Sequence, residues 1–214
     1  MTTKENFVKA IQELKKLEAE KKEQRKFTQS IDLIINLKDY DIKKTTINTF
    51  VLLPHKIKEK KIAGFLEKKS NIIDTITKAE FEDFKDKKKM KKLIKEYDFF
   101  IGAAKLMPAI AATFGRYLGP AGKMPSPQLG VVMAEDENSI KSLMKKIESA
   151  VKLRTKEPTV KVVIGKQTDK DEDIAENAII VFNEVFKNLP KAREQLKSVL
   201  IKYTMSKPVK VALQ

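Results

Sequence analysis

The sequence contains no cysteine. That excludes a disulfide scaffold, a thiolate metal site and a cysteine nucleophile, and it fits a reducing compartment. It has a single histidine, His55, so a histidine acid–base pair or a histidine-rich metal site is poorly supplied. His55 follows Pro54 and stands among lysines, where a solvated loop position is expected. No apolar run approaches the ~20 residues that span a bilayer. The most apolar uncharged stretch, 106–115, is interrupted by Pro108. The opening MTTKENFVKAIQELKK is charged from the start and lacks the apolar core of a secretion signal. A cytoplasmic protein without a membrane partner is expected.

The usual phosphate-binding patterns are absent too. A P-loop requires Gly, four residues, then Gly-Lys-Ser/Thr. Here Gly122-Lys123 is followed by Met124, and Tyr117 stands where the first glycine belongs. The dinucleotide pattern is met only in part, by Gly119 and Gly122. There is no G-x-S-x-G elbow. The acidic run DKDED at 169–173 lacks the spacing and glycine of an EF-hand loop and reads as the start of a helix. Neither a cofactor, a metal nor a small-molecule substrate is expected.

What the chain does have is positive charge: 44 Lys and Arg against 29 Asp and Glu in 214 residues, a net +15. Such a surplus repels itself when compact and attracts polyanions, nucleic acid first and an anionic membrane second. With 42% hydrophobic residues the chain can bury a core, as one large domain or two small ones. Lysines cluster at 56–61 (KIKEKK) and 85–95 (KDKKKMKKLIK).

Periodicity outlines the elements. Residues 5–20 space Phe7, Val8, Ile11, Leu14 and Leu17 as an amphipathic helix. Ile31, Leu33, Ile35 and Leu37 alternate with more polar neighbours, a strand with one buried face. TFVLL at 49–53 reads as a buried strand stopped by Pro54, and FFIGA at 99–103 as another. Residues 79–96 read as one helix with a basic face. Residues 103–115 read as a helix ended by Gly115, followed by a Gly/Pro-rich loop over 116–130. Strands are expected at 131–134, 159–164 and 198–205, and helices at 138–150 and 171–189. The middle alternates strand and helix as a parallel α/β sheet does, and the ends look like a smaller α+β unit.

Four stretches carry more specific information: KFTQSIDLIINL at 26–37, TFVLLPH at 49–55, GRYLGPAGKMPSPQLG at 115–130 and KYTMSKP at 202–208. Their order and spacing resemble the ribosomal protein L-one family, the protein of the mobile lateral stalk, in its archaeal or eukaryotic-like form. The resemblance covers essentially the whole chain. It implies an α/β protein of two domains: residues 1–56 and 152–214 as an α+β split β-α-β domain, and 57–151 as an inserted Rossmann-like three-layer α/β domain. The chain would cross between them near 54–58 and 150–153, at a hinge.

The resemblance also implies a structural constituent of the large ribosomal subunit that binds large-subunit rRNA and aids release of deacylated tRNA from the exit site. It further implies repression of the protein's own mRNA, and a monomer when free. The RNA-facing residues carried over are Lys26, Phe27, Thr28, Ser30, Gly165, Lys166, Thr204, Met205 and Ser206. Lys202 and Lys207 stand beside them as phosphate partners. Ser206 departs from the family, which has glycine there. The alternative reading makes Phe27 and Met205 core residues, and Thr28, Ser30 and Thr204 caps or turns of the backbone. Gly119, Gly122 and Lys123 form either a secondary RNA contact or a fold-stabilising loop. The alternatives from other classes are a nucleotide-dependent enzyme and a basic membrane-surface protein.

Overall fold

The elements run in the order α1 (Lys4–Ala19), β1 (Ser30–Leu37), β2 (Asn48–Leu52), β3 (Ile62–Phe65), β4 (Asp74–Ile76), a 3-10 segment (Lys78–Lys85), α2 (Lys87–Glu96) and β5 (Phe99–Ala103). They continue with α3 (Met107–Ala121), β6 (Val131–Val132), α4 (Glu137–Ser149), β7 (Ala150–Arg154), β8 (Thr159–Lys166), α5 (Asp171–Lys187), β9 (Leu196–Tyr203) and β10 (Val209–Lys210). The structure is a computed structural model that describes residues 4–20, 26–42, 45–133 and 135–212. Ala134, the last residue of the strand expected at 131–134, lies outside the described residues.

The chain divides into two compact units, Met1–Ile57 with Ser149–Gln214, and Lys58–Glu148. In the first unit a sheet is ordered β10-β9-β1-β8, with every neighbouring pair antiparallel. β1 lies between β8 and β9, the two strands that α5 connects. Its burial alternates strictly, with Ile31, Leu33, Ile35 and Leu37 inside, because successive side chains point to opposite faces of the sheet. These residues pack with Phe7, Ile11 and Leu14 of α1 and with Ile174, Ala178, Val181 and Val185 of α5. Phe7 meets Phe182 edge-on at 6.2 Å. The buried stripe of α1 passes through Glu18 and leaves Leu17 exposed, a phase that follows the 3.6-residue turn.

β2 and β7 pair antiparallel as a two-stranded ribbon. Only Val51 of β2 is buried, so the strand expected to be buried throughout has one face on the core and one in solvent. A ribbon has no second layer to cover its other face.

The second unit holds a parallel sheet ordered β4-β3-β5-β6. Its core centres on Phe65, Phe81, Phe100 and Phe114, with Phe65 and Phe114 4.7 Å apart. Two sequence expectations change here, and two strands appear that the periodicity does not announce. The helix expected over 79–96 is a 3-10 segment and then α2, separated at Asp86, whose extended backbone and carboxylate cap the Lys88 amide at 3.0 Å. β3 and β4 carry no period to read: β3 is four residues long and buried throughout. The helix expected to end at Gly115 runs on to Ala121, through Pro120. Ile110, Phe114 and Leu118 form one buried stripe, and burial of Leu118 carries the helix past the glycine. It ends at Gly122, whose left-handed φ of 72° suits a residue without Cβ.

Candidate nucleic-acid interface

The ends of β8 and β9 and the beginning of β1 meet at one edge of the first unit's sheet. Register places Ser30 opposite Lys166, and Ile31 opposite both Gly165 and Tyr203. A bulge between Ile31 and Asp32 adds local twist to the strand just inside this corner. Residues 26–30, 165–167 and 203–207, far apart in sequence, are thereby brought together.

The residue that binds these segments was not singled out from sequence. Gln29 is 1% exposed. Its side-chain amide donates to Glu18 Oε1 at 2.9 Å, and its side-chain oxygen accepts the Met205 amide at 3.1 Å. Its backbone carbonyl accepts the Gln167 amide at 2.9 Å. One buried side chain so ties α1 to the turn after β9, while its backbone holds the loop after β8. A single polar residue between Thr28 and Ser30 carries no periodic signal. Only its position beside Phe27 and Thr28 could have drawn attention to it.

The turn after β9 is held twice more. Ser30 O accepts the Thr204 amide at 3.2 Å, with the Thr204 hydroxyl at 3.4 Å. The Ser206 hydroxyl accepts the Tyr203 amide at 2.9 Å, and Tyr203 O accepts the Ser206 amide at 3.2 Å. Among the described residues the one non-glycine with positive φ is Asp39. The turn therefore closes without the left-handed backbone that a glycine would permit, and the serine hydroxyl braces it instead. Below it, the Tyr203 ring is fully buried. Burial, followed by the nearby Asp171 and Glu18 carboxylates, pushes its phenol up to about 12.

Above this frame, Phe27 is 52% exposed and Met205 55% exposed, so neither is a core residue. Thr28, Thr204, Lys26 and Lys207 are exposed, and Ser30, Lys166 and Ser206 half-buried. Lys202 lies on the outer face of the sheet opposite Asp32. Burial raises the Asp32 carboxyl, and the Lys202 charge partly counteracts it. Gly165 differs from its expected role. It is buried, and a Cβ there would come within 2.9 Å of Ile174 and 3.3 Å of Asp169 Oδ2. Its missing side chain makes room for the Asp169 carboxylate, which accepts the Lys166 amide at 2.7 Å. The corner thus presents hydroxyls and two apolar side chains on a braced backbone, with lysines around them.

Gly119, Gly122 and Lys123 belong to the second unit. Gly119 lies within α3 and Gly122 caps it. The Lys123 ammonium donates to Ile94 O and Tyr97 O, both at 2.7 Å. It sits at the C-terminal end of α2, where the helix dipole favours a cation.

His55 is not a free loop residue. Its Nε2 lies 2.9 Å from Glu176 Oε2 and 3.7 Å from Asp173. Asn177, 2% exposed, accepts the His55 amide at 3.2 Å and donates to His55 O and Ile164 O at 3.1 and 2.9 Å. The Lys4 ammonium, and then His55, hold the Glu176 carboxyl below its usual value. No cluster of three or more His, Asp or Glu suited to a metal occurs among the described residues. No helix among them is long and apolar enough to cross a membrane.

This geometry defines a mixed α/β protein with a braced corner on the sheet of its first unit. Residues 14–207 match the model of the Ribosomal protein L1p/L10e family. The chain is 38% identical to the large ribosomal subunit protein uL1 of Thermococcus kodakarensis, over 97% of each chain. It is 36% identical to that of Methanobrevibacter smithii, over 97% of this chain and 99% of the relative. A third relative, uL1 of Pyrococcus horikoshii, is 36% identical over 97% of this chain and 96% of its own. The chain belongs to the Ribosomal protein L1p/L10e family. It is a family of ribosomal proteins and not of enzymes, which sets aside the nucleotide-dependent enzyme.

Proposed function

We propose that this protein is a constituent of the large ribosomal subunit, in the cytoplasm, that binds large-subunit rRNA through the corner of its first unit. The single observation that carries the reading is the braced set Phe27, Thr28, Ser30, Thr204 and Met205, with apolar side chains half-exposed beside hydroxyls and lysines around them. A-form RNA hides its base edges in a deep groove and is read by shape, 2′-hydroxyls and phosphates. Short hydroxyl side chains suit the 2′-hydroxyls, Phe27 and Met205 keep water off those bonds, and Lys26, Lys166, Lys202 and Lys207 attract phosphates. Gln29 holds the two halves of the site at a fixed spacing before RNA arrives, which lowers the ordering cost of binding.

The finer family roles follow from this reading. The first unit is the rRNA-binding domain, and Lys58–Glu148 is the Rossmann-like insertion. The chain passes between the units twice, next to the paired strands β2 and β7, which serve as the stalk hinge. Stalk movement accompanies release of deacylated tRNA from the exit site, and a similar RNA fold in the protein's own mRNA makes it a translational repressor. Free of RNA, the protein is a monomer.

The test is a salt titration of a stalk rRNA fragment against the wild type and Thr204→Ala. Binding should weaken steeply with salt, because neutralised phosphates release counterions. A residual affinity at high salt should be present in the wild type and lost in Thr204→Ala. Equal affinity in both proteins would overturn the site assignment.

A further inference from the structure

We propose that the solvent face of α2 binds the phosphodiester backbone of double-stranded RNA without regard to sequence, as a second contact carried by the second unit. Three observations lead there. The first is where the unit's charge sits. Residues 58–148 hold nineteen Lys and Arg against thirteen Asp and Glu. α2 holds six of those lysines and one acid, Glu96, so it carries five of the six excess charges, and the rest of the unit is close to balance, thirteen against twelve.

The second is geometry. At 3.6 residues per turn, Lys87, Lys88, Lys91, Lys92 and Lys95 fall within an arc of about 140° and a length of about 12 Å. Met90 and Leu93 occupy the opposite, buried side. All five lysines are exposed, and none has an ion pair with a carboxylate among the described residues.

The third is that the arrangement opposes the stability of its own helix. Lys87–Lys91, Lys91–Lys95 and Lys88–Lys92 are like charges one turn apart, which repel. Lysines also fill the first turn, which has no acidic residue, although the helix dipole favours anions there. The Asp86 carboxylate at the N-cap answers the dipole there, but it leaves the repulsion along the lysine stripe uncompensated. Local conflict of this kind is the mark of a surface shaped for a partner.

The chemistry selects the partner. A helix that lies on a membrane needs an exposed apolar face to enter the lipid, and the apolar residues of α2 point inward. Lysine is a flexible point charge, without the planar fork that reads a base edge or grips a carboxylate in two places. A stripe of such charges suits a regular row of phosphates. The choice of RNA among polyanions rests on the ribosomal reading above. The site is independent of the corner in the first unit.

The test uses the full chain and a short RNA duplex of arbitrary sequence. One variant carries Lys→Gln at Lys87, Lys88, Lys91, Lys92 and Lys95. A charge-matched control carries Lys→Gln at Lys9, Lys68, Lys105, Lys187 and Lys197. Each lysine seated on a phosphate contributes about 0.9 to the slope of log affinity against log salt. The stripe variant is expected to lose about two or more from that slope, and the control markedly less. The stripe variant should also melt no lower than the wild type at low salt, since repulsion within α2 is relieved.

Equal slopes for variant and control would overturn the proposal. So would unchanged RNA binding combined with lost binding to phosphatidylserine vesicles, which would make the stripe a membrane contact. Thr204→Ala with the stalk fragment reports on the corner alone, so failure of one site is distinguishable from failure of the other.

Discussion

The side-chain oxygen of Gln29 accepts the backbone amide of Met205 at 3.1 Å, across 176 positions of sequence. The side-chain nitrogen of Gln29 donates to Glu18 on α1. Replacing Gln29 by Met keeps most of the volume and removes both bonds, leaving the Met205 amide without this partner. An unsatisfied buried group costs about 1–3 kcal/mol. Urea unfolding should register a loss of that size, and affinity for the rRNA fragment should fall several-fold because the turn loosens. Wild-type stability together with wild-type affinity would show that Gln29 braces nothing.

Lys123 separates two roles for one side chain. Its ammonium is seated on Ile94 O and Tyr97 O at the end of α2. Lys123→Met should cost about 0.3–1 kcal/mol, the worth of a cation at a helix terminus, and leave RNA affinity unchanged. Lost affinity with intact stability would instead make it an RNA contact.

Asn177 makes three hydrogen bonds from a buried position, two to the backbone of His55 and one to Ile164 O. Asn177→Leu fills the space without bonding any of them. Summed at about 1 kcal/mol per bond, the expected loss is about 2–4 kcal/mol in denaturant unfolding. A variant as stable as the wild type would show that residue 55 needs no such anchor.

Asp32 bears on pH dependence. Burial raises its carboxyl in the folded protein, and Lys202 offsets part of the effect. A raised folded value means the folded state binds more protons than the unfolded state between the two values. This group's contribution is therefore fully present below the unfolded value and is lost as pH rises through the folded value. At neutral pH ionised Asp32 weighs against folding, and Asp32→Asn should raise the melting midpoint. The difference should close in acid, below the ordinary carboxyl range. Parallel melting curves at both pH values, with no gain at neutral pH, would show that Lys202 fully compensates the charge.

Long periodic elements were legible. β1 buries the four residues that alternation marks, and α5 opens with the expected acidic turn at Asp171, Glu172 and Asp173. β5 falls on FFIGA as expected. Legibility failed where tertiary burial outweighed local signals. Gly115 and Pro120 read as breakers, yet α3 passes both because Leu118 belongs to its buried stripe. Asp86 interrupts a lysine-rich run because a carboxylate can cap an amide there more readily than it can extend the helix. β3 was invisible because a strand buried on both faces has no alternation.

The sequence by itself determined the class of the protein: its charge, the positions of its main amphipathic elements, and the four motifs that place it in its family. Those are properties of residue type and spacing, which survive without contacts. Only the tertiary structure decided which residues do what at the corner. It exposed Phe27 and Met205, buried Gly165 against Ile174, turned Lys123 onto α2, and revealed Gln29 as the tie between segments. Each of these depends on a tertiary partner: at the corner it acquires a position only when β1 is laid between β8 and β9, and for Lys123 only when α2 packs beside α3.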